Sequence, residues 1–535
     1  MGRIAALLLC ALCWTSAPPA AAALFGDSFE EAMRLRIERL REGAQLRVEG
    51  APIAAGALIA EFYERRDFRR AWGDKARRQA LLALVEDSYS HGLDPADYHA
   101  AALKQSLARR SWGSAAAADQ ELLLTDTLVR LVYTLRFGKA NPRELYAGWD
   151  FKRSLDRVDP VAAVEALVSS DDLARAVSAY GPQLPAYRNL RQALARYRAL
   201  EARGGWPALP PGPTLKPGAR GARVVALRQR LAASGDLASA PASDPALFDE
   251  GLAAAVQLFQ ARHGLEADGA VGRRTLAALN VGVAERIAQI RVNLERIRWV
   301  AQDLTGDFLL VDIAGFSASL QLDGRVAWAS RVVVGRPYRR TPVFRATLRY
   351  IELNPRWVVP PTILREDVLP KVIRDPGFLE KNDMTVVDNE GRSIDPATID
   401  WGRYRSGGFP YLLVRAPGAD NPLGQLKFVF PNPYTVYLHD TPAKELFRRP
   451  ERAFSSGCIR VEEPRQLALL LLDPEQWNEE ALDQAIATGA TRVLRVKRPV
   501  PVLVLYFTAE AGEDGVARFH PDLYQRDPPV LAALN

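Results

Sequence analysis

The spacing of apolar residues changes twice along this chain. From about residue 29 to 202 they recur at three- and four-residue steps, as at Leu58 and Phe62 and then Leu81, Leu84 and Val85. That is the stripe of amphipathic helices. Gly92-Leu93-Asp94-Pro95 and Ala140-Asn141-Pro142 punctuate it as turns. His91 and His99 read as turn or surface residues. The apolar run at 122–137 is interrupted by Asp126, Arg130 and Arg136, so it predicts a buried amphipathic helix and not a membrane span.

A stretch at 206–221 with five prolines, Pro207, Pro210, Pro211, Pro213 and Pro217, predicts a stiff linker. A small unit follows at about 214–280. Val224, Leu227 and Leu231 line one helix; Leu252, Val256 and Phe259 line another. Asp268-Gly269 and Val271-Gly272 then make a turn, with Thr275 expected to cap a short third helix. A three-helix unit of this size suits binding better than catalysis.

After a connecting helix at 283–302 the period becomes two. Strands are predicted at 308–313, 317–322 and 326–334, with Asp323-Gly324 as a hairpin turn. Others fall near 347–353, 411–415 and 434–439, and a last pair at 502–508 and 516–520. The segment 361–409 breaks the pattern with helical and polar pieces, and an insert of that length suits a lid. The fold class expected is multidomain α+β. The expected division is a signal segment at 1–23, an α-helical domain at 24–205, a linker and small module at 206–282, the helix at 283–302, and a mostly β domain at 303–535.

Composition narrows the chemistry. The 535 residues carry 70 Lys and Arg against 63 Asp and Glu, a net charge of +7, too diffuse to indicate nucleic acid. Five histidines without helical metal-pair spacing and three cysteines argue against a metal centre, and no cofactor is called for. Arg3, an apolar run to Trp14 and an alanine-rich stretch ending at Ala23 form a secretory signal. Cleavage near Ala23 removes Cys10 and Cys13, leaving Cys458 as the lone thiol. No later stretch is apolar enough to span a membrane.

The informative residues are 436–442, Val-Tyr-Leu-His-Asp-Thr-Pro, and 454–461, Phe-Ser-Ser-Gly-Cys-Ile-Arg-Val. On a period of two, Thr435, Tyr437 and His439 share one strand face and Val436 and Leu438 the other, so His439 is expected to face away from the core. Gly457 permits a tight turn before Cys458 and offers backbone N–H groups to a reacting carbonyl. A neighbouring imidazolium depresses a thiol pKa, and the same imidazole then protonates a leaving amine. Cys458 and His439 are thus a sufficient pair for acyl transfer.

The stretch around His439 and Ser455-Ser456-Gly457-Cys458-Ile459-Arg460 resembles the signature of the L,D-transpeptidases, whose catalytic domain is of the YkuD type. Many small members have a second His just before the Gly, where this chain has Ser456. The Ser-Ser-Gly-Cys form resembles the long, multidomain Gram-negative class. So do Gly92-Leu93-Asp94-Pro95-Ala96-Asp97-Tyr98 with its α-rich scaffold domain, and 354–360, Asn421-Pro422-Leu423-Gly424 and Lys427-Phe428 with its catalytic domain. Leu215-Lys216-Pro217-Gly218, Phe259-Gln260 and residues 268–272 resemble a peptidoglycan-binding module.

The resemblance implies a periplasmic cysteine transpeptidase of the cell wall. Its donor would be a peptidoglycan tetrapeptide stem and its acceptor a diaminopimelate amine. It would form 3-3 crosslinks through a thioester on Cys458 and be a target of carbapenems. His439 would be the general acid/base and Gly457 a backbone oxyanion donor. Arg460 would hold a carboxylate. Ser456, Tyr437, Asp440, Thr441 and Trp357 are further candidates to line or orient the site. An L,D-carboxypeptidase or crosslink hydrolase would use the same pair with water as acceptor. A non-catalytic wall-binding scaffold would need only the small module. A papain-like peptidase fits poorly, because His439 precedes Cys458 in β surroundings.

Overall fold

A computed structural model describes residues 28–109, 113–151, 159–238, 243–375, 377–405 and 407–535. The expected signal segment, with Cys10 and Cys13, lies outside the described residues. Helices dominate up to Val300 and a large β-sheet domain follows, a multidomain α+β chain as expected. Among the described residues no helix is long and apolar enough to cross a membrane.

The helical stretch does not form a single body. One compact unit takes the chain up to residue 86 together with 96–131 and 155–176; residues 87–95, 132–154 and everything from 177 onward form the second. In the first unit two acids, Glu121 just before the apolar run and Asp126 within it, are buried acceptors. Glu121 accepts from the N–H groups of Ala71 (2.8 Å) and Trp72 (3.1 Å) and from the Tyr63 hydroxyl (2.8 Å). Asp126 accepts from Ala54 N (2.8 Å), Ala55 N (2.7 Å) and Arg130 Nε (2.7 Å), and lies 3.0 Å from His99 Nε2. His99 is therefore buried and not a surface residue. Such groups persist in an interior only when every polar atom is answered.

In the second unit, the helix Pro185–Ala202 presents Tyr187, Leu190, Ala193, Leu194 and Tyr197 to the central helix Val283–Val300 and to the hairpin of strands Ala509–Ala511 and Ala517–Phe519. That shared core draws the end of the expected α-domain into the second unit. The central helix buries charge as well: Glu295 and Arg298 pair at 2.8 Å with both side chains fully buried. Glu295 also accepts from Trp299 Nε1 (2.9 Å) and Ala140 N (2.7 Å), and Arg298 donates to Tyr187 Oη (2.8 Å). His91, expected at the surface, is mostly buried, its Nδ1 2.9 Å from Tyr187 Oη.

The small module is three helices, Ala222–Ala233, Glu250–Arg262 and Arg273–Leu279, around Val224, Leu227, Leu231, Leu252, Val256 and Phe259. Gln260 closes its turn, donating to Asp268 Oδ1 (2.7 Å) and Ala270 O (2.9 Å) and accepting from Gly269 N (2.9 Å). Gly272, not Thr275, precedes the last helix; Thr275 lies within it and donates to Ala270 O.

The β domain is a nine-stranded sheet in the order Ala453–Ser455, Arg325–Gly335, Ile459–Val461, Leu438–His439, Leu426–Val429, Phe344–Leu353, Arg492–Leu505, Phe308–Asp312, Ser317–Leu322. Ser317–Leu322 also pairs with Arg325–Gly335, so the ring closes and most edges vanish. Arg492–Leu505 is longer than the strand expected at 502–508. The hairpin near the chain's end uses Ala509–Ala511 in place of those residues. The strand expected at 434–439 shrinks to Leu438–His439, because Thr435 takes a left-handed φ of 56°.

The insert forms its own four-stranded sheet, Trp357–Val358, Leu412–Arg415, Met384–Val387 and Ser393–Ile394, over a separate core of Leu364, Val368, Leu369, Val372, Val386 and Leu413. Within it Leu364–Val368 winds as a π turn.

At Gly335 it is backbone that leaves no room for a side chain. A Cβ on Gly335 would lie 2.1 Å from Arg339 O, because residues 336–341 fold back over the strand end. Gly335→Ala should shift that loop and destabilise the chain by about 1–3 kcal/mol, read as a lower midpoint in thermal unfolding of the β domain. An unchanged midpoint would show that the loop yields freely.

Candidate active site

Two short parallel strands build the site. Leu438 pairs with Ile459 and His439 with Arg460, and Ile459 N donates to Tyr437 O (3.1 Å). The residue before each pair, Tyr437 on one strand and Cys458 on the other, thereby meet. Tyr437 lies against Cys458, where its main chain and hydroxyl favour the thiolate, and Sγ donates to Thr435 O at 3.9 Å. The strained φ of Thr435, unusual for a β-branched residue, aims that carbonyl.

His439 is 4% exposed, against the expectation of a wet strand face. The alternation holds from exposed Thr435 through buried Val436, half-buried Tyr437 and buried Leu438, and His439 alone departs from it. Its Nδ1–H donates to Asp440 O at 2.5 Å, which fixes the tautomer and leaves Nε2 as a free base. Burial, reinforced by Arg460 and then Lys427, drops its pKa to about 3, although the Asp440 bond pulls the other way. Burial raises the Cys458 thiol; the Tyr437 hydrogen bonds, Lys427 and Arg460 only partly offset it. Burial thus acts against the charged form of both groups, the direction opposite to the expected imidazolium that depresses the thiol.

Gly457 takes a φ of 119° and supplies the turn. Its N–H, however, donates to Ser455 Oγ (3.1 Å), and Ser455 Oγ donates to Cys458 O (2.5 Å). Among the described residues no acceptor meets the Cys458 N–H, which is therefore the free backbone donor beside the thiol. Arg460 lies next to Cys458 and His439 and makes no ion pair among the described residues; its buried Nε has no partner. A cation left unanswered beside a thiol suits an anionic ligand.

Asp440 orients the imidazole through its main chain. Its carboxylate instead accepts from Gln425 N (2.9 Å) and pairs with Lys444 (2.5 Å). Thr441 accepts from Ala443 N (3.3 Å) in a turn. Trp357 packs against the insert's core, and Ser456 Oγ accepts from Arg339 at 2.9 Å.

Comparison with known proteins agrees with this geometry. Residues 306–501 match the model described as "L,D-transpeptidase catalytic domain", YkuD. This part of the chain is similar to a YkuD-type L,D-transpeptidase catalytic domain. Residues 57–194 match "Scaffold domain" and 220–279 match "Putative peptidoglycan binding domain". The chain is 36% identical over 248 residues to a protein of Haemophilus influenzae named "Putative L,D-transpeptidase"; the match spans 46% of this chain and 50% of that protein. Two solved L,D-transpeptidases are also similar. One from Mycobacterium smegmatis has 15% identity over 37% of this chain and 58% of its own, at a TM-score of 0.19. One from Xylanimonas cellulosilytica has 16% identity over 55% and 100%, at 0.18. Scores that low carry no weight for the fold.

Several residues of the candidate site escape sequence reasoning. Thr341 donates to Gly457 O (2.8 Å) and accepts from Gly335 N (2.9 Å). Tyr524 accepts from Thr341 N (3.1 Å) and donates to Gly335 O (2.6 Å). Lys427 stacks over the Tyr437 ring at 4.7 Å while pairing with Glu352 at 3.0 Å. No local pattern links residues so far apart in sequence.

The action of burial on both groups has a measurable signature. Alkylation of Cys458 by iodoacetamide, followed by peptide mass, should stay slow and climb without a plateau from pH 5 to 9, since the thiol ionises only above the ordinary range. A plateau of fast reaction between about pH 4 and 8, as in a preformed thiolate–imidazolium pair, would contradict it.

Proposed function

We propose that this chain is an exported cysteine L,D-transpeptidase of the periplasm. The single observation that carries the reading is the buried His439, with Nδ1–H held by Asp440 O, on a strand paired directly with that of Cys458. An imidazole so held is a base at Nε2 before attack and an acid there afterwards.

Sγ of Cys458 attacks the carbonyl joining the L-centre of diaminopimelate to the terminal D-Ala of a tetrapeptide stem, and its proton passes to His439 Nε2. The Cys458 N–H is placed to stabilise the oxyanion. The tetrahedral intermediate collapses, the C–N bond breaks, and His439 returns the proton to the departing D-Ala amine, leaving a thioester. The side-chain amine of a second diaminopimelate then attacks the thioester. Its proton passes by way of His439 to the leaving thiol, and a 3-3 crosslink results. Arg460, which makes no direct ion pair among the described residues although Glu445 lies within electrostatic reach, takes a stem carboxylate. The module at 220–279 supports a wall substrate, and water as acceptor would turn the same steps into carboxypeptidase action.

Incubating the full chain with disaccharide-tetrapeptide should yield crosslinked dimer and free D-Ala by mass spectrometry. Cys458→Ala should lower the rate by at least about a thousandfold, and His439→Ala by roughly 10²–10⁴-fold. Loss of D-Ala without dimer would point to the carboxypeptidase. No turnover, together with no carbapenem adduct on Cys458, would leave the wall-binding scaffold.

The acid limb gives a second check. The base form of His439 survives far below the usual imidazole range, so kcat/KM should hold its value from pH 7 down to pH 5. A fall with an apparent pKa near 6.5 would place a protonated, solvated imidazole in the free enzyme and overturn the proposed state.

A further inference from the structure

Residues 336–341 connect the thiol loop to the insert, and one side chain makes the connection. Arg339 donates through Nη1 to Ser456 Oγ (2.9 Å) and to Asp367, and through Nη2 to Glu366 (2.7 Å). Its side chain is 9% exposed, while both acids are 41% exposed. Glu366 and Asp367 project from the π turn Leu364–Val368, whose ends, Leu364 and Val368, are anchored in the insert's own core. A π turn widens the helix locally and often marks a functional position. On the other side Ser456 is flanked by Ser455, which closes the turn onto Gly457 N and Cys458 O, and by Gly457, whose carbonyl is held by Thr341 from the same short loop as Arg339.

We propose that Arg339 is a positioning residue, a clasp whose planar fork holds the insert down beside Cys458 and fixes Ser456. The planar guanidinium suits this role because it serves three acceptors in fixed directions. Breaking it frees the π turn to lift, which opens the approach to the thiol and loosens the residue two positions before it. The proposal goes beyond the reaction itself: it concerns access to Cys458, whatever acyl group arrives there.

The test uses the full chain and reads access without needing turnover. Cys458 is alkylated with iodoacetamide, which is small, and with a bulky uncharged maleimide, and each adduct is quantified on the Cys458 peptide. Arg339→Gln, and separately Glu366→Gln with Asp367→Asn, should each raise the maleimide rate about tenfold and the iodoacetamide rate less than about twofold, the size expected when one charge-assisted contact is lost. Combining all three changes should add little, because one clasp is already open. Hydrogen exchange over 361–374 should quicken in the same variants.

Equal acceleration of both reagents would mean a merely loosened thiol loop, and no effect from the acid-side variant would mean the insert is held elsewhere; either overturns the clasp. If the maleimide effect appears while the chain forms no crosslink, the clasp stands and the proposed reaction fails.

Discussion

The site depends on desolvating one imidazole. His439 lies on a strand two residues long, wedged between Leu426–Val429 and Ile459–Val461 in a ring with hardly a free edge. Water cannot reach it, so the charged form is penalised and the ring is held neutral. The single bond from Nδ1 to Asp440 O then determines which nitrogen remains basic. The positive charge nearby, Arg460 and Lys427, acts in the same direction on His439 and in the opposite direction on Cys458. Burial therefore favours the uncharged pair and leaves proton transfer to the moment of attack.

The treatment of charge elsewhere makes this site stand out. Glu295 with Arg298, Asp126 with Arg130 and His99, and Glu121 with its three donors are all buried and all answered. Burial of a charge is tolerated only on those terms. Arg460 Nε is a buried donor without a partner, as are donors on Arg230, Arg296 and Arg452. What distinguishes Arg460 is its place beside the one described thiol, where an anionic group brought from outside would meet it.

Much of this was legible in the amino-acid order. Alternation located Ser317–Leu322 and Arg325–Gly335, Asp-Gly marked their turn, and the lone cysteine after Ser-Ser-Gly with a histidine at a strand end singled out Cys458 and His439 as candidates. The failures have particular causes. Periodicity assigns a wet face from neighbours along the strand, and it holds through Leu438, but His439 is buried because strands flank it on both sides. Arg492–Leu505 begins with alternating wet and dry residues, and Pro499 sits at its register shift, so its first half does not read as a central strand. Gly457 was expected to offer its N–H, but Ser455 takes it. Asp440 was expected to line or orient the site, and the group it turns to the imidazole is its carbonyl. Thr341, Tyr524 and Arg339 are contacts made across more than a hundred residues, which no window along the chain reveals.

Tyr524 has a consequence for the order of events in making the molecule. Its hydroxyl secures Thr341 and Gly335, and Thr341 in turn holds the carbonyl before Cys458. Chains are made from the N-terminus, so the thiol emerges well ahead of the residue that completes its support. A growing or truncated chain that stops short of position 524 carries the cysteine without its brace. Competence at the thiol thus arrives late in biogenesis, once the rest of the β domain has already closed its ring.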